Sequence, residues 1–447
     1  MELQKDLVLF GVNNRYFAVS IKNGQVVRLL KPIDNNTIIK LQNKSFFDEN
    51  PLKINSHAKT ITMSLNVINQ CNLNCKYCFN KDKNLKRLSF EQCVEFIDKI
   101  IDKHNNANRF IVDLSGSGEP LLALDLIVRI SKYCQSKSNE IKKEVLVMFA
   151  TNGILLTKEV AKLLKDNLIL FGISLDGKKN NNKYRVDYNG VNCYKRVIKN
   201  IKEIQNMDYV GVAVTLYDEK QNLVKICKEF IKYFETISIK PVRNNFEFGI
   251  SKKNIDKIKY NYYKFTEFLI KESLYKYNTK YLKAILNGDD YFGRYLYRII
   301  LNQRISSRCD IGYSRYSLGI DGVIYGCPAL VGRKNIKLNE GFSVERSTDC
   351  EKCYARYLCG GECMANSYNL NNNFNTNDEI MCELKKHLFQ LGYYLVSMLK
   401  ENKKIFLEIL EFCNEKNNRD NINIEIQEKI EKENLSFIEA KINFDKT

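Results

Sequence analysis

The chain has 447 residues, 44% hydrophobic and 27% charged, with 15 cysteines and a net charge of +18. That length suits two or three domains, and no run of about 18 apolar residues offers a membrane span. The lysines are spread evenly among many glutamates, which reads as compositional bias, and no helix-turn-helix or RNA-binding signature accompanies them, so nucleic acid is not an expected partner.

The amino terminus, MELQKDLVLFGVNN, lacks the basic-then-apolar pattern of a signal peptide, and the expected compartment is the cytoplasm. Residues 1–60 alternate weakly. Within them RYFAVSIKNGQVVRLLK reads as two strands around an Asn23-Gly24 turn, a small β-rich unit. From residue 61 strands and helices alternate. ITMSLNVI is followed by a helix over 89–102 capped by Ser89. Then come a strand at 110–115, a helix at 121–134, a strand at 145–151, and a helix at 157–166 capped by Thr157. Strands at 168–176, 210–217 and 236–242 follow, with helices at 191–204 and 223–234 between them. Six β/α units fall short of a closed eight-stranded barrel, so the expected class is α/β, an open partial (β/α)6 barrel with strands apolar on both faces. Residues 258–303 read as helical and tyrosine-rich, 309–382 as cysteine-rich and loop-rich, and 384–401 as a long amphipathic helix before a polar helical tail. The expected division is 1–60, 61–300, 301–390 and 391–447.

Cysteines clustered in a reducing compartment point to metal or catalysis before disulfides. Ten of them cluster; Cys93, Cys134, Cys193 and Cys227 lie in amphipathic or turn contexts and read as small buried hydrophobes, and Cys413 stands apart. The first cluster, CNLNCKYCF, sets Cys71, Cys75 and Cys78 in a CxxxCxxC loop directly after the first strand. Tetrahedral iron and zinc sites usually take four protein ligands, so either a distant residue completes this set or a non-protein group does.

Here the chain resembles the radical S-adenosylmethionine superfamily. The resemblance implies that the three cysteines hold a four-iron, four-sulfur cluster whose open iron is chelated by S-adenosylmethionine. Further matches follow chain order at successive strand ends. In SGSGEP, Gly118, Glu119 and Pro120 match a Gly-Gly-Glu-Pro segment that receives the methionine amino group, with Ser117 in place of the first glycine. ATNG, with Asn152, matches a segment near the ribose. SLDG places Ser174 and Asp176 where the family contacts ribose or methionine, and Arg185 is the candidate carboxylate partner, although Asn181 and Asn182 replace the usual His-Asp before it. Thr215 on the fifth strand is a further candidate contact to adenosine.

Downstream, Cys309 is followed by twelve residues, Gly322, four residues and Cys327; then CEKCYARYLCGGEC supplies Cys350, Cys353, Cys359 and Cys363, and Cys382 closes the set. This resembles the SPASM domain appended to radical enzymes that modify peptides and proteins; a pair of zinc ribbons is the competing reading. By resemblance Cys350, Cys353, Cys359 and Cys382 complete one auxiliary four-iron cluster. Cys309, Cys327 and Cys363 hold another that lacks a fourth cysteine, since 228–308 contains none and His57, His104 and His387 lie elsewhere. Asp310, water or a substrate thiolate are the candidates for that position.

The resemblance implies three four-iron clusters, S-adenosylmethionine, a 5′-deoxyadenosyl radical that abstracts hydrogen, and an electron donor such as flavodoxin or ferredoxin. The expected function is maturation of a cysteine-containing precursor peptide by thioether formation, as in sactipeptide and ranthipeptide maturases, with residues 1–60 gripping a leader peptide or capping the barrel. Carbon–carbon crosslinking and sulfatase formylglycine maturation are the alternatives within the class; a degenerate peptide-binding iron–sulfur protein is the non-enzymatic one. Sulfatase-maturing enzymes typically carry an acid just after the second SPASM cysteine, where this chain has Pro328, Ala329 and Leu330.

Overall fold

The computed structural model describes residues 6–32, 41, 46, 60–80, 83–204, 211–242, 248–309, 311–333 and 348–417. Asp310 and residues 418–447 of the expected polar tail lie outside them.

The Asn23-Gly24 turn forms. β2 (Arg15–Ser20) and β3 (Val26–Leu29) pair antiparallel with Val19 opposite Val26. The Asn23 side chain accepts from Gln25 N at 2.8 Å and donates to the Phe46 carbonyl at 3.0 Å. Gly24 sits at φ +67°, and a Cβ there would lie 2.8 Å from the Tyr357 ring, so both conformation and contact require glycine. A further strand, β1 (Leu7–Val12), joins through Asn13 and Asn14, both at positive φ as a two-residue hairpin turn demands.

The central sheet runs β4 (Thr60–Leu65), β5 (Arg109–Asp113), β6 (Glu144–Thr151), β7 (Ile169–Ser174), β8 (Gly211–Leu216) and β9 (Thr236–Pro241), all parallel and in chain order. Between them lie α1 (Phe90–Lys103), α2 (Leu124–Ile141), α3 (Lys158–Asp166), α4 (Tyr194–Glu203) and α5 (Leu223–Phe230). Ser89 caps α1 in a reciprocal box with Gln92, and Thr157 caps α3. The sheet is open, as expected for a partial barrel. Its far edge is covered: Asp290 accepts from Ile239 N at 2.9 Å, and Ser238 Oγ accepts from Asp289 N at 2.8 Å.

The strands are covered by helices on one face only. One set of residues (Phe110, Val112, Val147, Phe149, Ile173, Val212, Val214) is buried under the helices. The alternate set includes Met148, 36% exposed, and Leu170, 38% exposed, with Ser174 and Thr215 at the strand ends. An open barrel leaves its inner face as a concave groove, and this apolar exposure belongs to it.

Beyond β9 come α6 (Ile255–Ile270), α7 (Lys280–Asn287) and α8 (Tyr291–Ile300). The cysteine-rich region adds two strands to the sheet: β10 (Arg315–Leu318) runs parallel to β4, and β11 (Ile324–Tyr325) pairs antiparallel with β10. These strands are too short to show a period in sequence. After α9 (Met364–Asn371), α10 (Glu379–Leu399) packs against α6 and α8, and α11 (Lys403–Asn417) follows. The amino-terminal sheet docks on α10 through Phe10 against Phe389 (5.9 Å) and Phe17 against Tyr393 (6.5 Å). Cys93, Cys134, Cys193, Cys227 and Cys413 are all buried. Among the described residues no helix is long and apolar enough to cross a membrane.

Candidate active site

The CxxxCxxC loop leaves β4 and lies over the strand ends. Leu73 N donates to Cys71 Sγ at 3.4 Å, and Cys78 N to the Cys75 carbonyl at 3.1 Å. Burial pushes the Cys75 thiol up to about 12 and raises Cys71 as well, while the Arg185 charge pulls Cys75 back. Buried thiols of this kind give up their protons to a metal centre.

SGSGEP is laid directly against the segment feeding that loop. A Cβ on Gly118 would meet the Gln70 carbonyl at 2.3 Å and that of Ile68 at 2.5 Å; one on Gly116 would overlap the Asn66 side chain. Asn80, just past the third cysteine, donates to the Ser117 carbonyl at 2.5 Å and ties the two loops together. Glu119, 2% exposed, accepts from Thr151 Oγ1 (2.6 Å), Leu121 N (3.2 Å) and Asn152 N (2.8 Å). Burial raises its carboxyl above the usual range against the pull of those donors. A carboxylate has about four lone-pair sites, which leaves room for one more donor. Pro120 opens the turn into α2 and is buried. Asn152 bridges back to the cysteine loop through Asn72 Oδ1 at 2.6 Å.

Ser174 ends β7, half-buried. Asp176 is fully buried and already engaged: it accepts from the Tyr77 hydroxyl and from Thr215 N (2.9 Å), and pairs with Arg185 Nε at 3.2 Å. Its carboxylate thus holds Arg185 beside the cysteine loop. Arg185 is buried too; burial disfavours its charge, and the Asp176 carboxylate together with Tyr77, Cys75 and Cys193 more than offsets that. Asn182 accepts from Asp176 N (2.9 Å) and donates to the Gly177 carbonyl (2.7 Å), fixing the loop. Gln221 accepts from Tyr217 N at 2.6 Å and donates to the Thr215 carbonyl at 2.9 Å. Sequence reading missed the positioning work of Asn80, Asn182 and Gln221. In a chain this rich in asparagine nothing local marks them.

The carboxy-terminal cysteines separate into two groups. Cys309, Cys327 and Cys363 pack round Ile311, Leu330, Met364 and Ala365. Burial pushes Cys327 up to about 12, with further contributions from Cys363 and Cys309. Cys353 and Cys382 are raised by burial, and both lie within the field of Cys359 and Cys350. Among the described residues no three His, Cys, Asp or Glu side chains converge as the ligands of one ion would; a four-iron cube does not ask for that, since each cysteine binds a separate iron. His104 contacts Tyr316 and His387 the Lys259 carbonyl, neither in these groups.

Residues 65–229 match the Radical SAM superfamily model. The chain is 26% identical over 360 residues to a cysteine-type anaerobic sulfatase-maturating enzyme of Clostridium novyi, covering 72% of this chain and 91% of that one. It is 24% identical over 381 residues to the radical SAM cyclopropyl synthase TigE of Paramaledivibacter caminithermalis, covering 77% and 75%. An uncharacterized protein of Methanocaldococcus jannaschii is 30% identical over 178 residues, 40% of this chain, which spans only 59% of that relative's length. In fold it is similar to native anSMEcpe with bound AdoMet, at a TM-score of 0.60 and 19% identity over 76% of this chain and 98% of that one.

Proposed function

We propose that this radical SAM enzyme matures a cysteine-containing precursor peptide and closes a thioether crosslink in it. The observation that carries the reading is the gathering of ten cysteines into three sets: Cys71, Cys75 and Cys78 at the barrel mouth, Cys309, Cys327 and Cys363, and Cys350, Cys353, Cys359 and Cys382. The family implies S-adenosylmethionine and one four-iron cluster; the seven distal cysteines are assigned here to two auxiliary clusters. Held by Cys71, Cys75 and Cys78, a reduced cluster with S-adenosylmethionine would supply radical chemistry, a 5′-deoxyadenosyl radical for hydrogen abstraction from substrate.

The protein's own part is positional. Glu119 offers a carboxylate to the methionine ammonium, Gly118 lets that loop lie against the cysteine loop, and Arg185, aimed by Asp176 and Tyr77, meets the methionine carboxylate. Asn152 and Ser174 lie at neighbouring strand ends, within the ribose side of the site. Met148 and Leu170 give the groove an apolar wall that excludes water. The three-cysteine auxiliary set is the docking point for a substrate thiolate. Leader recognition is assigned to the amino-terminal sheet, supported by a cleft of about 590 Å³ between β3 and α10 that includes Arg28, Arg304 and Lys400 among its lining and suits an acidic strand laid along β3. A small one-electron carrier, flavodoxin or ferredoxin, is the proposed reductant, and the cytoplasm the proposed compartment.

Sulfatase-type maturation is the second reading, favoured by the relative named above. Against it, Pro328, Ala329 and Leu330 form a short turn that carries no carboxylate after Cys327, with Leu330 buried. The test is anaerobic turnover of the reconstituted chain with dithionite, S-adenosylmethionine and a precursor peptide. A product lighter by two hydrogens that has lost a free thiol supports the thioether. The same mass loss with every thiol still alkylatable points to a carbon–carbon bond. Absence of 5′-deoxyadenosine under all conditions overturns the enzymatic reading.

A further inference from the structure

A buried charge cluster joins the two distal cysteine sets. Lys385, 2% exposed, donates its ammonium to Glu362 Oε2, and Glu362 Oε1 accepts from Cys363 N at 2.7 Å. Arg308 donates its backbone N to the Gly360 carbonyl at 2.7 Å and its guanidinium to the Tyr291 hydroxyl; the Lys385 ammonium stands 5.2 Å from the same ring's centroid. Each charged residue is tied to a cysteine. Arg308 precedes Cys309, Glu362 precedes Cys363, and Lys385 lies three residues beyond Cys382, about one turn along α10. Lys385 pairs directly with Glu362, while Arg308, half-buried, feels the same carboxylate only through space. A buried charge is costly unless an opposite charge answers it; besides Glu362, Tyr291 stands against both cations, and after it come thiols, Cys363 beside Arg308 and Cys359 beside Lys385.

We propose that Lys385 and Arg308 form a cationic bridge between the two distal cysteine sets and raise the reduction potentials of the clusters held there, with Glu362 setting how much of that charge is felt. The proposal rests on the assignment of the seven cysteines to auxiliary clusters. Reduction adds an electron to an already anionic cluster, so a fixed positive charge in a site of low dielectric stabilises the reduced form. Such a bridge would poise the distal clusters to accept the electron released when a substrate sulfur–carbon bond closes.

The experiment compares K385M, K385R and E362Q in the full chain, anaerobically reconstituted, by iron content and by redox titration followed with electron paramagnetic resonance. The first cluster's signal is identified by its response to added S-adenosylmethionine. K385M should lower the potential of a distal cluster by at least a tenfold change in its reduction constant, about 59 mV for one electron. E362Q should raise it, K385R should leave it near that of the unmodified chain, and the first cluster should not move. A purely structural clamp predicts iron loss, or shifts of one sign, in all variants. If K385M sheds iron, E362Q decides: an unchanged or lowered potential overturns the bridge, as does iron loss in both. An unmodified chain with only about four irons defeats the cluster assignment itself; full iron with unmoved potentials defeats the bridge alone.

Discussion

Replacing Glu119 with glutamine tests the cofactor end of the site most directly. Glu119 is buried and takes hydrogen bonds from Thr151, Leu121 and Asn152. An amide can keep its oxygen toward Thr151 and Leu121, but its NH2 then faces the Asn152 N–H, donor against donor, and an unpaired buried donor costs about 1–3 kcal/mol of stability. The lost charge matters more for ligand binding. A hydrogen bond to a charged group contributes about 1.5–3 kcal/mol, and at about 1.4 kcal/mol per decade S-adenosylmethionine should bind roughly tenfold to a hundredfold more weakly. The pH dependence gives an independent signature. Burial raises the Glu119 carboxyl above its usual range, and only the ionised form attracts an ammonium. Affinity of the unmodified chain should be full above that raised value and fall as pH drops through it, while E119Q should show no such step. The same linkage makes this group's contribution to the ligand-free fold greatest below its unfolded value and lost as pH rises through the folded one. Calorimetric titration of the reconstituted protein across pH, with iron content as control, reads all of this. Equal affinities for the two proteins with the first cluster intact would refute the placement of the ammonium at Glu119.

Changing Cys71, Cys75 and Cys78 together to alanine should remove about four of roughly twelve irons and abolish cleavage of S-adenosylmethionine while the distal clusters persist; zinc at the distal sites would contradict this. G118A should push the cysteine loop and SGSGEP apart, because the new methyl meets backbone carbonyls at 2.3 and 2.5 Å that cannot rotate away; overpacking of this kind costs about 1–3 kcal/mol in denaturant unfolding, and cofactor binding should fall with it. R185M should leave the Asp176 carboxylate buried beside the Tyr77 hydroxyl without its cation, a loss on the order of 3–5 kcal/mol, and a stability equal to that of the unmodified chain would show that the pair is not what holds the loop. A cysteine-containing peptide should perturb the distal electron paramagnetic resonance signal far more than its Cys→Ser counterpart.

What the sequence by itself determined is what short-range physics encodes. Ser89 and Thr157 cap their helices because a side-chain oxygen three residues from a free N–H settles that locally. The Asn23-Gly24 turn forms because glycine tolerates its positive φ. The strand-then-helix alternation fixed the open parallel sheet, and the cysteine spacings picked out the candidate ligands. Only the tertiary structure decided the rest. It gave the barrel strands an exposed inner face, because an open sheet cannot cover both of its sides with helices. It drew β10 and β11 into the sheet, though four and two residues are too few to show a period. It engaged Asp176 with Tyr77 of the cysteine loop, Arg185 nine residues further on and Thr215 of β8. It also buried Lys385 against Glu362, 23 residues away along the chain. A charge in sequence carries no sign of what will surround it; burial and pairing are set by which distant segments pack together, and only folding brings those segments into contact.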